Sequence, residues 1–304
     1  MKMNKSRLDP IQKKSTNKLS ELQPQEKGEP GGMTQVAPPF EVKAGSPMQA
    51  NQQVAQRQED PEETTAVSNR RRDGPYGWTS SYDVTVSEDE VRINIKLKIS
   101  PQAGVSDEDV EKVKNETSSE FARYFDSRFT LTDDERNART LTAGVEFVES
   151  GEHLNVSLYP GDRRANLSTW YVDDGATTRA HELGHQLGLL DEYVDSRVPD
   201  RTSESSSGVY SDDSLMRSHK AEDADVRLRH GETIGADISS ATGINFTTTW
   251  SDTYIVRSGD SLYDIAGRIY RDSSRWTEIY ELNKDQIADP DLIMPGQELK
   301  LPER

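Results

Sequence analysis

Two histidines four residues apart, His181 and His185, bracket Glu182, and Gly188 and Asp191 follow at short fixed offsets. On an α-helix, residues i and i+4 lie one turn apart on one face, so both imidazoles can meet a single ion. The spacing predicts a helix beginning after Asp173-Asp174-Gly175 and ending at Gly188, where glycine lets the chain turn sharply. That turn can return Asp191 to the ion as a third ligand, with Glu192 as a rival. A fourth position then stays open for water, as a catalytic zinc requires. Glu182 follows the first ligand and is placed to act as general base. Ala176, Ala180, Leu183 and Leu187 form one apolar stripe at about 100° per residue, and the histidines lie off it. They are therefore not simply core residues. The chain contains no Cys. That excludes a disulfide framework, Cys-ligated zinc, iron–sulfur clusters and a thiol nucleophile, and any metal must sit on His and carboxylates.

The string His181 to Asp191 resembles the extended motif of the metzincin metalloproteases, and most of all the snapalysin-like bacterial branch, with Asp191 in the third-ligand place. Metzincins carry a Met-turn beneath the metal. Ser214-Leu215-Met216-Arg217 fits it, with Met216 standing 25 residues beyond Asp191. Some members have a metal-binding Tyr two residues after that Met; here the place is Ser218. The resemblance covers roughly residues 78–235. It implies Zn2+ as cofactor, a protein or peptide substrate, and hydrolysis with Glu182 carrying the proton from water to the leaving amine. It also implies that upper-strand residues bind the substrate backbone by strand addition. Tyr193, His219 and His230 are candidate oxyanion or substrate contacts. Cleavage of wall peptide cross-links would use the same site.

Across the 304 residues only 32% are apolar, and mean hydropathy is -0.86, low for a chain folded end to end. Residues 1–75 read as a disordered, low-complexity tail rich in Gln, Pro, Lys, Glu and Gly, closing near the linker-like Arg70-Arg71-Arg72. From Tyr76 the signals change. Val91, Ile93, Ile95, Leu97 and Ile99 alternate with polar residues as a half-buried strand, paired with Tyr82, Val84 and Val86 through an acidic turn. Ser106 opens a helix carrying Val110, Val113, Thr117, Phe121 and Tyr124. Val145–Phe147 and Leu154–Leu158 read as a hairpin about Ser150-Gly151-Glu152, and Trp170-Tyr171-Val172 as a further strand. Residues 194–250 look irregular, with helical character near 219–229. The expected organisation is a peptidase domain at 76–235, a linker at 236–252 and a small domain at 253–304. The fold class is α+β: a mixed twisted sheet with an active-site helix, plus a βααβ unit.

That small unit has strand, helix, helix and strand in order. Ser261 caps the first helix, Leu262, Ile265 and Ile269 repeat at helical spacing, and Pro295-Gly296 turns into the last strand. Its Gly259-Asp260-Ser261-Leu262 start, Asn283 and its close through Pro295-Gly296-Gln297 resemble a LysM domain from end to end. The resemblance implies binding of peptidoglycan or another N-acetylglucosamine glycan, in a groove between Gly259, Asp260, Ser261 and Leu262 and the loop holding Leu292 and Ile293. The Trp276–Tyr280 region is similar to LysM domains of phage-tail baseplates, which implies an adaptor role as the alternative.

Residues 1–73 hold 12 basic and 10 acidic residues, so the remaining chain holds 25 basic and 44 acidic residues of the total 37 and 54. Nucleic acid selects basic surfaces, so this balance argues against it as a partner. No apolar run approaches a membrane span. The N-terminus has charge but no apolar stretch behind it, so a secretory signal is not expected. Pro39–Lys43 and Gln53–Glu59 resemble leader segments of proteins from contractile injection clusters. That resemblance implies a protein made in the bacterial cytoplasm and delivered by a phage-tail-like particle, acting at a cell wall or in a target cell. Its non-enzymatic counterpart is an adaptor of such a particle docking through LysM.

Overall fold

A computed structural model describes residues 63–221 and 224–303. The expected tail up to residue 62, including both leader-like segments, lies outside the described residues. The remainder of that expected tail is strand. β1 (Thr64–Asp73) pairs antiparallel with β2 (Tyr76–Val86) along its whole length, so Arg70-Arg71-Arg72 belongs to a sheet and not to a linker. β1 buries only Val67 and Asp73. An edge strand that buries so little carries no period-2 apolar signal.

β2 turns through the acidic residues into β3 (Glu90–Pro101), antiparallel as expected. Ser106 accepts a hydrogen bond from Asp109 N–H while the Asp109 carboxylate takes the Ser106 N–H, a complete capping box. It starts α1 (Asp107–Phe125), which buries Val113, Thr117, Phe121 and Tyr124. β4 (Phe129–Asp133) and β5 (Ala138–Phe147) follow, antiparallel to each other, with β5 parallel to β3.

The expected hairpin between β5 and β6 (Leu154–Tyr159) does not form. Leu97 C=O accepts from Val148 N–H, and Lys96 C=O accepts from His153 N–H. Successive carbonyls of a strand point to opposite edges. β5 and β6 therefore lie on opposite edges of β3, and residues 148–153 cross it. β6 runs parallel to Leu97–Pro101, taking the edge that β2 leaves after Asp83 meets Asn94. β7 (Thr169–Tyr171) extends that edge and leads into α2 (Ala176–Gln186).

Two further corrections concern residues 215–250. The helical character expected at 219–229 is displaced to a short α3 (Leu215–Ser218) and a long α4 (Leu228–Thr242). The expected linker is the end of α4 together with β8 (Phe246–Trp250), which pairs with β4 and completes the sheet order β1-β2-β3-β5-β4-β8. Glycine explains the close seat of α4. A Cβ at Gly231 would stand 2.6 Å from the Phe129 ring, and one at Gly235 would stand 2.3 Å from Thr248 Oγ1. The first module thus runs to Trp250, which stacks on Phe129. Its core includes Tyr82, Ile93, Phe121, Trp170, Leu183 and Met216.

The second core belongs to β9 (Thr253–Ile255), α5 (Leu262–Tyr270), α6 (Trp276–Leu282) and β10 (Glu298–Lys300), the βααβ order read from the sequence. Ser261 caps α5 as expected, accepting from Asp264 N–H. Asn283 donates from its amide to Ile279 O and Lys300 O, and accepts from Lys300 N–H. It ties α6 to the closing strand. Among the described residues, no helix is long and apolar enough to cross a membrane.

Candidate metal centre

α2 is held from behind before it presents anything in front. Arg179 is buried and donates to Thr117 Oγ1 at 3.0 Å and to Glu116 at 2.5 Å, locking α2 onto α1. Ala180, Leu183 and Leu187 face the core as the stripe requires. Opposite that stripe, His181 and His185 turn their rings toward each other, centroids 4.8 Å apart. The helix ends in a hand-off of carbonyls: Leu187, Gly188 and Leu189 all donate N–H groups into its last turn. Gly188 has φ +89°, and the chain comes back as expected.

Asp191 arrives where the spacing placed it. Its Oδ1 lies 3.3 Å from His181 Nε2 and 3.4 Å from His185 Nε2. The two histidines and Asp191 form the potential metal-ligand group found among the described residues. The other ring nitrogens fix the tautomers. His181 Nδ1 is 3.0 Å from Leu215 O, and His185 Nδ1 is 2.8 Å from Leu189 O. A carbonyl only accepts, so both Nδ1 atoms carry a proton, and in the neutral ring each Nε2 can offer a lone pair inward. Asp191 Oδ1 is buried without a hydrogen-bond partner. Two imidazole nitrogens and an orphaned carboxylate oxygen on one point fit Zn2+ in donor type and number.

The remaining carboxylates divide by role. Glu182 is buried in the same cleft, and desolvation, opposed by the two histidines, raises its carboxyl above the usual carboxylate range. Glu192 points away from the histidines. It receives Arg229 at 2.6 and 2.7 Å, His230 Nε2 at 3.2 Å and the Ser214 hydroxyl. Burial alone would raise its pKa, but these partners bring it down to about 2. The rival third ligand is therefore committed elsewhere, and His230 with it. Tyr193 and His219 do line the cleft. Tyr193 O–H donates to Asp191 Oδ2 at 2.9 Å, and the His219 ring lies 4.6 Å from that of His181. Burial, aided by the nearby histidine, lowers the His219 pKa to about 4, so the ring is neutral.

Met216 is fully buried beneath the site, its sulfur 2.8 Å from the point where a Gly184 side chain would begin. Glu192 N–H donates to Met216 O at 3.0 Å, stitching this turn to the third-ligand segment.

Several site residues gave no signal in the sequence. Trp78 donates from Nε1 to His185 O at 2.8 Å and sets its ring edge-on to His185. Arg201 donates to Asp73 and to Tyr193 O, and stands 3.8 Å from Asp191 Oδ2. Trp78 lies far from the motif along the chain and is brought near by the β1–β2 hairpin, while Arg201 follows Asp191 by ten residues in an irregular segment with no periodicity to mark it. The cleft has a volume of about 1310 Å³ and runs between the 162–168 loop, α2 and the β1–β2 hairpin.

In the C-terminal module the expected groove residues separate. Gly259 turns the chain with φ +87°. Leu262 is a core residue, and Asp260 is held by Tyr254 O–H, Arg257 N–H and Arg268, so neither side chain is free for a ligand. Leu292 is 65% exposed, Met294 60% and, on α5, Tyr263 59%. Ile293 packs partly against the core.

Residues 254–302 match the LysM domain family, and this part of the chain is a LysM domain. The chain is 42% identical over 55 residues to the potassium binding protein Kbp of Escherichia coli O6:H1, covering 18% of this chain and 37% of that protein. It is 43% identical over 53 residues to the resuscitation-promoting factor Rpf of Micrococcus luteus, covering 17% and 23%. It is 42% identical over 60 residues to the uncharacterized protein YqbP of Bacillus subtilis, covering 17% and 27%. The chain thus spans well under half the length of these relatives. No solved structure matches it.

Proposed function

We propose that the chain is a zinc-dependent endopeptidase of metzincin type, carrying a LysM domain that brings it to peptidoglycan or a related N-acetylglucosamine glycan. The observation that carries the peptidase half is the convergence of His181 Nε2, His185 Nε2 and the orphaned Asp191 Oδ1 beside a buried Glu182. Zn2+ held by these three residues would supply Lewis acidity toward a scissile carbonyl and toward water. Glu182 takes the proton from the attacking water and delivers it to the leaving amine. Trp78 and the two backbone carbonyls hold the histidine rings in place, and Tyr193 holds Asp191. An adaptor role without catalysis would give no reason to keep a base next to the first histidine. The LysM domain supports the glycan half, and Leu292, Met294 and Tyr263 are its exposed apolar side chains.

The test is paired. Wild type should bind about one zinc per chain and cleave an unfolded protein such as casein. Glu182→Gln should keep the zinc and lose at least about a hundredfold in rate. Retained activity in that variant would remove Glu182 from the mechanism, and wild type without zinc would end the peptidase reading. Separately, purified peptidoglycan should sediment the full chain, with binding competed by chitin oligomers. A chain left in the supernatant would assign LysM to protein docking.

A further inference from the structure

The cleft carries free positive charge in a strongly acidic chain. Formal net charge is -17, so the general field around the protein repels carboxylates. Four cationic side chains nevertheless line the cleft: Arg163, Arg164, Arg217 and Lys220. Arg217 is engaged, donating to Tyr210 O and lying 3.4 Å from Glu204. Among the described residues, no carboxylate pairs with Arg163, Arg164 or Lys220. The acidic lining residues are largely committed. Asp73 is bound by Arg201, Asp174 accepts from Tyr171 N–H at 2.8 Å, and Glu182 and Asp191 belong to the metal centre. Asp162 and Asp173 stay exposed.

Arg164 lines the same cleft as His181, Glu182, His185 and Asp191. It lies on the exposed loop between β6 and β7. An exposed guanidinium in that cleft, with no ion pair among the described residues, is ready to donate both arms of its fork to a carboxylate.

Resting on the peptidase reading, we propose that the cleft selects peptides with an Asp or Glu beside the scissile bond, Arg164 receiving that carboxylate. Arg163 and Lys220 add to the local field without needing contact, offsetting the repulsion of the chain as a whole.

The experiment uses the zinc-loaded full chain on a synthetic peptide library holding Glu, Gln or Lys at each position flanking one cleavable bond. The readout is the kcat/KM ratio of each Glu peptide to its Gln counterpart. At one flanking position the ratio should be about three to ten, the size expected for a partly exposed charge-assisted pair. It should fall toward one in about 1 M salt, where the Debye length is about 3 Å. Arg164→Glu should invert the ratio and favour the Lys peptide. Because Arg164 and Glu182 line one cleft, this variant can change the absolute rate on every peptide; the ratio removes that common effect. Cleavage by wild type with a ratio near one, or a ratio unmoved by Arg164→Glu, would overturn the acidic preference and leave the peptidase intact. No cleavage of any peptide, with Glu182→Gln indistinguishable from wild type, would overturn both.

Discussion

Gly188 couples three parts of the site through a position with no side chain. Its φ of +89° is strained for any residue with a Cβ, and that Cβ would lie 2.5 Å from Arg71 Nη2 and 2.8 Å from Asp237 Oδ2. Arg71 on β1 and Asp237 on α4 form an ion pair against this turn. Gly188→Ala should therefore cost about 1–2 kcal/mol in backbone strain and also push the pair apart. The expected outcome is an unfolding free energy, from urea titration, lowered by a total of about 2–3 kcal/mol, with weaker retention of the proposed zinc because Asp191 follows the turn by three residues. An unchanged midpoint would show that the turn relaxes without Gly. The same residue explains what the sequence could reveal. His181, Glu182, His185, Gly188 and Asp191 lie within one helix and its exit, so helical periodicity and the Gly188 turn together bring them to one place. Trp78, Arg164 and Arg201 meet the site through tertiary folding, and no local spacing marks them.

At the scale of elements, legibility followed burial. β3 alternates with almost every inward residue fully buried, and α1 opens on a complete cap, so both were readable. β1 is an edge strand with two buried residues, and its Arg and Asn content read as tail. The crossing between β5 and β6 escapes the sequence for a different reason. Two apolar runs separated by Ser150-Gly151-Glu152 satisfy a hairpin pattern whether the second run pairs with the first or with β3. Only the alternate direction of the Lys96 and Leu97 carbonyls separates the cases. α4 was hidden by its own packing solution. Gly231 and Gly235 lower helix propensity by about 1 kcal/mol each, yet they are what lets the helix lie on Phe129 and Thr248. The segment looked like a linker because its contacts need small residues. The LysM elements were all legible, since a short βααβ unit must place nearly every apolar residue in one core.

In the whole molecule, the LysM domain meets the first module through charge. Asp126 is fully buried and accepts from Ala143 N–H at 3.0 Å and from the Arg257 guanidinium, which enters from the LysM side. Arg128, also buried, donates to Arg268 O at 2.7 Å and pairs with Asp225 at 2.6 Å. Asp126 Oδ2 has no hydrogen-bond partner. Desolvation is the largest influence on Asp126 and raises its pKa, while Arg257, Ala143 N–H and the charge of Arg268 pull it back. Arg257→Ala removes the strongest of these counterweights. The cost should be about 1–3 kcal/mol near neutral pH, below the figure for a fully buried pair because Arg257 is partly exposed. Its pH dependence has a definite sign. With a folded pKa above the unfolded value of about 3.9, Asp126 takes up its proton more readily in the folded chain. The variant then loses stability as pH rises through that folded pKa and recovers it as pH falls. Urea midpoints for wild type and Arg257→Ala should therefore lie furthest apart at pH about 7–8 and draw together on acidification. Adding Asp126→Asn to the variant should abolish that convergence, since no proton is then taken up at the seam. A gap that stays constant with pH in Arg257→Ala alone would mean that Arg257 contributes packing and not charge, and that the two modules are joined by the Arg128 contacts instead.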